Sequence, residues 1–155
     1  MSEITQATTE AQIEQTRALF REYEAWLGMS LCFQSFEEEV ATLPGRYAPP
    51  GGRLYLAYEG DEPIGCIALR EIEPGICEMK RLFLRESARG LGLGVRLIEQ
   101  VIADAREIGY AKMRLDTYPP KMGKAVSLYE AHGFHEIPPY YDNPHDGVLY
   151  MEKML

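Results

Sequence analysis

Apolar residues recur along the first forty residues at the spacing of amphipathic helices. Residues 10–27 predict a helix, with Thr8 or Thr9 as its N-cap, because apolar side chains return every three or four positions. The positions that carry this pattern are Ile13, Leu19, Phe20, Tyr23 and Leu27. Residues 35–43 predict a second, short helix, in which Ser35 is the N-cap and Glu38 completes a capping box.

The middle of the chain predicts three strands followed by a long helix. The strands are RLYLAYEG (53–60), PIGCIALREI (63–72) and GICEMKRLFLR (75–85), and the turn residues Gly60 and Asp61 separate the first two. GVRLIEQVIADAREIG (94–109) then has one apolar face and ends on a glycine, as amphipathic helices commonly do.

The last third predicts a strand, a shorter helix and two strands. These are residues 111–118, 122–133, 134–141 and 147–155. With a strand at the N-terminus, the element order is strand, two helices, three strands, helix, strand, helix and two strands. A chain of 155 residues with this order predicts a single mixed α/β domain spanning residues 1–155.

Composition narrows the classes of partner. A net charge of −8 argues against nucleic acid as a partner, because phosphate backbones are bound by clusters of Lys and Arg. The chain has no apolar run of membrane-spanning length and no basic, apolar leader, so we expect no membrane partner and a cytoplasmic protein. Cys32, Cys66 and Cys77 are expected to be buried free thiols, and no metal site is expected.

Charge is distributed unevenly along the chain. Residues 1–40 contain eight acidic residues and two arginines, whereas residues 80–96 contain five basic residues and one acidic residue. The basic segment surrounds the glycine-rich run RGLGLG, residues 89–94. A small anion would be attracted to this segment.

The glycine-rich run ends a predicted strand and opens the long helix, where free backbone N–H groups bind phosphate. It does not match the GxGxxG fingerprint of dinucleotide-binding domains, because Val95, Arg96 and Leu97 follow Gly94. It does not match a Walker A loop either, since no Gly-Lys-Ser/Thr follows. A tight strand-to-helix turn without a ligand remains the alternative for the run taken alone.

Two motifs resemble one known family. Arg89 and the spaced glycines after it resemble the Arg/Gln-x-x-Gly-x-Gly/Ala signature of the Gcn5-related N-acetyltransferases, the GNAT family. LYEAHGF, residues 128–134, resembles the LYEKxGF element of that family, and the similarity covers most of the chain from residue 53 onward. The resemblance implies an α/β (α+β) fold with a mixed sheet of six to seven strands and about four helices. It also implies an acetyltransferase that uses acetyl-CoA.

The resemblance assigns cofactor-binding positions. It implies that the main chain of Leu82, Phe83 and Leu84 pairs with the pantetheine arm, with added charge from Lys80, Arg81 or Arg85. The main-chain amides expected to bind the diphosphate are those of Arg89, Gly90, Leu91, Gly92, Leu93, Gly94 and Val95. The helix at 122–132 is expected to flank the thiol end, and its cofactor-facing residues are Met122, Ala125 and Tyr129. Met122 stands where the family often has an asparagine.

Acetyl transfer to an amine needs a base, an oxyanion contact and a proton for the leaving thiolate. Glu78 and Glu71 are the candidate bases, acting directly or through water, and a strand N–H near Phe83 is the candidate oxyanion donor. Tyr129 occupies the family tyrosine that is proposed to protonate the thiolate. No Cys or Ser nucleophile with a neighbouring His is evident, so direct attack in a ternary complex is preferred. His132, His135 and His145 are assigned structural roles.

The acceptor is expected over the first helices and the loop between the last strands. Aromatic and acidic side chains there suit a small cationic amine, although the aromatics could equally be core. They are Trp26, Phe33, Tyr47, Tyr140, Tyr141, Glu37, Glu38, Glu39, Asp142 and Asp146. A protein N-terminus or lysine, and a non-catalytic acyl-CoA sensor, are the alternatives. The last strands also suit a homodimer contact.

Overall fold

The computed structural model describes residues 2–31 and 35–155, and within them seven strands and four α-helices. The strands are β1 (Ser2–Gln6), β2 (Arg53–Glu59), β3 (Glu62–Glu73), β4 (Ile76–Leu84), β5 (Lys112–Thr117), β6 (His135–Ile137) and β7 (Leu149–Met154). The helices are α1 (Glu10–Leu27), α2 (Phe36–Ala41), α3 (Leu93–Ile108) and α4 (Pro119–Ala131). The expected element order is confirmed. No helix of the described ranges is both long and apolar enough to span a membrane.

One helix cap and two element boundaries differ from the sequence prediction. Ser35 has φ 57° and makes no side-chain cap bond, so the capping box expected at α2 is wrong, whereas Thr9 does form a capping box with Gln12. The strand expected at 134–141 ends at Ile137, because the two prolines that follow cannot donate to a strand ladder. The helix expected from Met122 begins at Pro119, since proline is well tolerated in the first turn.

All strands form one sheet in the order β1-β2-β3-β4-β5-β7-β6. Every neighbouring pair is antiparallel except β4 and β5, which are parallel. The long crossover through α3 makes this parallel pair possible. The carboxyl ends of β4 and β5 therefore lie at the same edge of the sheet. β6 forms an outer edge of the sheet, and the homodimer contact expected from the last strands stays a prediction.

Two apolar clusters cover the two faces of the sheet. On one face α3 and α4 pack over inward-facing residues such as Ile67, Met79, Met113 and Leu115. On the other face α1 and α2 pack over the first strands and the buried side chain of Phe83. Because side chains alternate along a strand, the residues of β4 divide between these faces. Cys66 and Cys77 are buried free thiols, as expected, while Cys32 lies outside the described residues.

A β-bulge changes this alternation in β4. Cys66 of β3 is opposite Phe83 and Ala68 is opposite Lys80, so Ile67 faces two residues of β4. One of the two, Arg81, has φ +60°. Bulges redirect side chains, and here Lys80, Arg81 and Phe83 all line or approach the α1/α2 side.

Arg81, at the bulge, links α2 to the sheet through its side chain. Arg81 is buried and donates two 2.9 Å hydrogen bonds to the carboxylate of Glu39, and its guanidinium lies 5.2 Å from the ring centroid of Phe36. Burial alone would raise the pKa of Glu39, but the hydrogen bonds and charge of Arg81 outweigh burial and hold that pKa below its ordinary value. Glu39 is therefore ionised in the folded protein at neutral pH.

Glu39→Gln should lower the free energy of unfolding by about 3 kcal/mol at pH 7, because it leaves a buried guanidinium without its counter-charge. A carboxylate with a lowered folded-state pKa contributes stability above its unfolded pKa of about 4.3, and that stability disappears as pH falls through the folded value. The difference between wild type and variant should therefore narrow below about pH 4. Urea unfolding at several pH values measures it. Glu38→Gln, at the exposed neighbouring position, is the control, and a pH-independent difference would contradict the pairing.

Candidate active site

A cleft opens between β4 and β5. Among the described residues, the parallel pairing covers only Ile76–Lys112, Cys77–Met113 and Glu78–Arg114. Beyond these pairs the strands separate, and the resulting cleft has a volume of about 580 Å3 including its solvent-open part. Its lining comes from α1 and the segment after it, from β4 and β5, from α4 and from the β6–β7 loop. These residues are Tyr23, Leu27, Met29, Leu31, Met79, Lys80, Arg81, Leu82, Asp116, Thr117, Tyr118, Met122, Tyr129, Asn143 and Val148.

The end of β4 forms one wall of the cleft. Leu82 lines the cleft, and Leu84 is half-buried against the α3-side core. Phe83 points to the α1 side, where its ring centroid lies 6.0 Å from Tyr23 and 5.9 Å from Trp26. β3 pairs with one edge of this segment, which leaves the other edge facing the cleft. That edge fits an extended ligand with its own amide groups, as predicted for pantetheine.

The glycine-rich run forms the turn between β4 and α3. Gly90 has φ 82° and Gly92 has φ 75°. Residues with a side chain rarely adopt such positive φ angles, so these two positions need glycine. At Gly94 a Cβ would make only ordinary contacts, 3.6 Å from Leu84 and Leu128. Gly92 is the N-cap of α3, a helix of 16 residues, and the run therefore presents the free N–H groups of a helix start. The geometry is that of an anion-binding turn.

Most of the basic segment is already neutralised within the protein. Arg81 pairs with Glu39, and Arg85 pairs with Glu22 at 2.6 Å and with Glu62 at 3.4 Å. Lys80 is buried, 3.9 Å from Asp116 and 4.0 Å from Glu78. Carboxylates from α1, α2 and β5 thus pair with all three cations from which added charge for a phosphate was expected, and that role of Lys80, Arg81 or Arg85 stays a prediction. Arg89 forms no ion pair with a described residue, and its Nε donates to the carbonyl of Leu84 at 3.2 Å.

α4 brings Tyr129 to the opposite wall. Tyr129 is 4 % exposed, lines the cleft and packs against Phe134 with ring centroids 5.8 Å apart. Burial raises the pKa of Tyr129, and the negative charge of Asp116 adds to this, so the phenol keeps its proton at neutral pH.

Two further residues of α4 were predicted to face the cofactor. Ala125 is half-buried against the apolar cluster on the α3 side of the sheet. Met122 has non-helical φ and ψ, and Thr117 Oγ1 lies 3.3 Å from its sulfur, so its side chain lies in the cleft.

Glu78 lies behind the cleft in a buried polar network. Arg70 contacts its Oε1 through Nε and Nη2, both at 2.9 Å, and the hydroxyl of Tyr140 donates to its Oε2 at 2.5 Å. Glu78 is 1 % exposed. The carboxylate is therefore reached through the Tyr140 hydroxyl on one oxygen, and Lys80, which lines the cleft, lies 4.0 Å from the other.

The second predicted base lies elsewhere. Glu71 follows Arg70 in β3 and is opposite Cys77, so it points to the α3 side of the sheet, away from Glu78. It is exposed, and its negative charge raises the pKa of the neighbouring Tyr110, although burial is the larger cause. The structure does not bring Glu71 to the cleft.

Asp116 of β5 is a cleft residue that sequence reasoning missed. Its carboxylate accepts a hydrogen bond from Tyr141 and faces Lys80 at 3.9 Å. Burial alone would raise the pKa of Asp116, but Lys80 and Tyr141 hold it below its ordinary value. Burial lowers the pKa of Lys80 despite Asp116 and Glu78. The available signal in the sequence was a charged residue near the end of a short strand, KMRLDT, in which polar and apolar residues alternate.

The β6–β7 loop closes one side of the cleft. Tyr140 and Tyr141 reach Glu78 and Asp116, and their rings form edge-on contacts with each other and with Tyr150, all at 5.4 Å between centroids. His145 Nε2 lies 2.9 Å from the carbonyl of Ser30, which joins this loop to the segment after α1. Two aromatic residues predicted for the acceptor thus lie beside the cleft.

Other residues predicted for the acceptor lie at different places. Trp26 lies beside the glycine-rich turn, where its ring contacts Arg89, and Phe33 falls outside the described residues. Tyr47 is buried under α2 near Glu39. His132, for which the sequence predicted a structural role, is held by Leu128 and Glu99 at the end of α4. In the described ranges no group of three or more His, Cys, Asp or Glu side chains has the arrangement of a metal site.

Comparisons with known proteins agree with this architecture. The model of the acetyltransferase (GNAT) family matches residues 10–134. A protein of Schizosaccharomyces pombe named as an uncharacterized N-acetyltransferase is 40% identical over 141 residues, which is 90% of this chain and 86% of the relative.

Solved structures show the same fold. An acetyltransferase from Streptococcus agalactiae has a TM-score of 0.82 at 23% identity. The alignment covers 99% of this chain and 98% of the S. agalactiae chain. The PaiA N-acetyltransferase from Thermoplasma acidophilum, solved in complex with coenzyme A, has a TM-score of 0.75 at 19% identity, with 100% and 99% covered. The sheet, the glycine-rich turn and these matches together show that the chain belongs to the GNAT family and is an acetyltransferase.

Proposed function

We propose that the protein transfers the acetyl group of acetyl-CoA to a primary amine of a small molecule, by direct attack in a ternary complex. The observation that carries this proposal is the cleft, where β4 and β5 separate beside Tyr129 after three paired residues. A cofactor arm that enters there has main-chain partners on one side and a proton donor on the other.

The residues present fit coenzyme A. The N–H groups between Arg89 and Val95 belong to a turn with two positive φ angles and a helix start, which suits a diphosphate. The free edge of Leu82–Leu84 suits the amides of pantetheine. The coenzyme A complex of the PaiA N-acetyltransferase, a protein of the same fold, supports the same cofactor. The residue at 122 is a methionine whose side chain occupies the cleft, so the hydrogen bond that an asparagine could make there is replaced by an apolar contact.

The geometry favours a small acceptor over a protein chain. The β6–β7 loop places Tyr140 and Tyr141 on the carboxylates of Glu78 and Asp116, and His145 joins this loop to Ser30. A long peptide would need an open groove, whereas this side of the cleft is covered. Carboxylates and aromatic rings beside the cleft suit a cationic amine, which must lose a proton before it attacks.

Acetyl-CoA supplies the thioester whose carbonyl carbon the acceptor nitrogen attacks. Tyr129 donates its phenolic proton toward the departing sulfur. Because burial raises its pKa above the ordinary value of about 10, complete transfer to a free thiolate of pKa about 8.5 is unfavourable. Tyr129 therefore keeps its proton and acts by hydrogen bonding to the sulfur while charge develops there, so that coenzyme A leaves as the thiolate. A main-chain N–H near Phe83 would stabilise the carbonyl oxygen.

The acceptor proton leaves toward the buried carboxylates. Glu78 stays the proposed base, and Tyr140, whose hydroxyl donates to it at 2.5 Å, is the proposed relay between Glu78 and the acceptor. In this arrangement Tyr140 accepts a proton from the acceptor side while it passes its own to Glu78. Arg70 keeps the carboxylate oriented through two contacts on the other oxygen.

An assay of coenzyme A release against a panel of amines, amino acids and peptides tests the proposal. Wild type should bind coenzyme A in calorimetry and turn over at least one small amine. Tyr129→Phe should lower kcat by about a hundredfold with little change in acetyl-CoA binding, because only the proton donor is lost. Tyr110→Phe is the control, since its hydroxyl donates to the carbonyl of Gly51 away from the cleft. Undiminished turnover by Tyr129→Phe would refute the donor assignment, and preferred turnover of peptides would refute the small acceptor.

Glu78→Gln and Glu71→Gln separate the two carboxylates that sequence analysis left as alternatives. Glu78→Gln should lower kcat/KM about a hundredfold at pH 7, because the proposed acceptor of the amine proton is lost. Glu71→Gln should stay within about twofold of wild type. Steady-state kinetics of both variants at pH 7, with coenzyme A binding and thermal unfolding as checks on folding, measure this. Wild-type kcat/KM in Glu78→Gln would show that another group takes the proton.

A further inference from the structure

Trp26 of α1 contacts two cations that come from opposite walls of the cleft. The guanidinium carbon of Arg89 lies 5.0 Å from the centroid of its ring, and the Nζ of Lys121 lies 5.8 Å from the same centroid. Arg89 opens the glycine-rich turn after β4, and Lys121 lies in the first turn of α4, after β5. Since β4 and β5 are parallel, both cations are at the carboxyl-end edge of the sheet, where the cleft begins.

Neither cation is neutralised by a carboxylate of the described residues. Lys80, Arg81 and Arg85 of the basic segment form ion pairs with carboxylates, whereas Arg89 and Lys121 form none with a described residue. Both side chains are also exposed. An aromatic face binds a cation more weakly than a phosphate oxygen does. Two such cations on one ring therefore stay available to an anion that enters between the walls.

We propose that Lys121 is a second cationic ligand of the coenzyme A diphosphate, and that Trp26 holds Lys121 and Arg89 in place for it. This inference rests on the proposed function, because it takes the cofactor to pass between the glycine-rich turn and α4. The turn supplies N–H groups from one wall, and Lys121 supplies charge from the other. Binding draws both cations from the ring, so that the diphosphate joins the two walls.

The arrangement also supplies its own reporter. Trp26 is the single tryptophan of the chain, so its fluorescence reports the removal of both cations from its ring. Lys124 provides a matched control. It is exposed on the same helix three residues further along, and it makes no contact with Trp26 among those the structure describes.

The test measures binding of coenzyme A and dephospho-coenzyme A to wild type, Lys121→Gln and Lys124→Gln by calorimetry, with thermal unfolding as a check on folding. Lys121→Gln should raise Kd about tenfold for both nucleotides, because both contain the diphosphate, and should reduce the salt dependence of binding. Lys124→Gln should stay within about twofold of wild type. In wild type, either nucleotide should change the emission of Trp26, whereas saturating pantetheine, which has no diphosphate, should not.

Each other outcome overturns the proposal in a distinct way. A penalty seen with coenzyme A but absent with dephospho-coenzyme A assigns Lys121 to the 3′-phosphate and overturns the diphosphate contact. Equal Kd values for wild type and Lys121→Gln would show that Lys121 does not bind the diphosphate. A pantetheine titration that reproduces the full spectral change overturns the role of Trp26. If wild type binds neither nucleotide, the proposed function fails together with this inference.

Discussion

The separation of β4 from β5 is the constraint on which the site depends. Backbone N–H and C=O groups need hydrogen-bond partners, and β5 provides none to β4 beyond the Glu78–Arg114 pair. The edge of β4 beyond Glu78 is consequently a place where an extended ligand completes the sheet. The separation is maintained from both sides: the bulge at Arg81 redirects β4, and the antiparallel pairing of β5 with β7 continues to Thr117 and holds β5 in line with the far half of the sheet.

Charged groups fill the space that backbone pairing leaves on the α1/α2 side. Arg70, Glu78, Lys80 and Asp116 alternate in sign across β3, β4 and β5, and the hydroxyls of the β6–β7 loop cover the carboxylates. Burial of charge is unfavourable unless each group is paired, which explains why cations and anions alternate here. The opposite face of the same strands is apolar and packs on α3. One face of these strands thus provides stability, while the other provides polar groups beside the cleft.

The sequence predicted the fold and the conformation of the glycine-rich turn well, because both depend on local pattern. Helical spacing, strand alternation and the glycines at 90 and 92 each determine a conformation within a few residues, and the observed element order follows them. The partners of charged side chains come from distant segments, so they could not be predicted from the sequence in the same way. Arg85 belongs to the basic segment of the sequence, yet Glu22 of α1, which is 63 positions away, neutralises it. Glu71 and Glu78 looked equivalent in the sequence, but strand alternation and the register of β3 with β4 place them on opposite faces.

Pairing of charges in space, rather than their order along the chain, also decides which cations can serve a ligand. Of the basic residues at 80–96, Lys80, Arg81 and Arg85 are held by carboxylates, and Arg96 donates to the carbonyl of Ser2 at 3.2 Å. Arg89 is left, and the fold adds Lys121 from a segment that composition does not distinguish. The acidic character of the chain therefore does not oppose an anionic cofactor. Its carboxylates neutralise the cations of the cleft walls, whereas Arg89 and Lys121, which have no carboxylate partner among the described residues, lie at the edge of the sheet where the cleft begins.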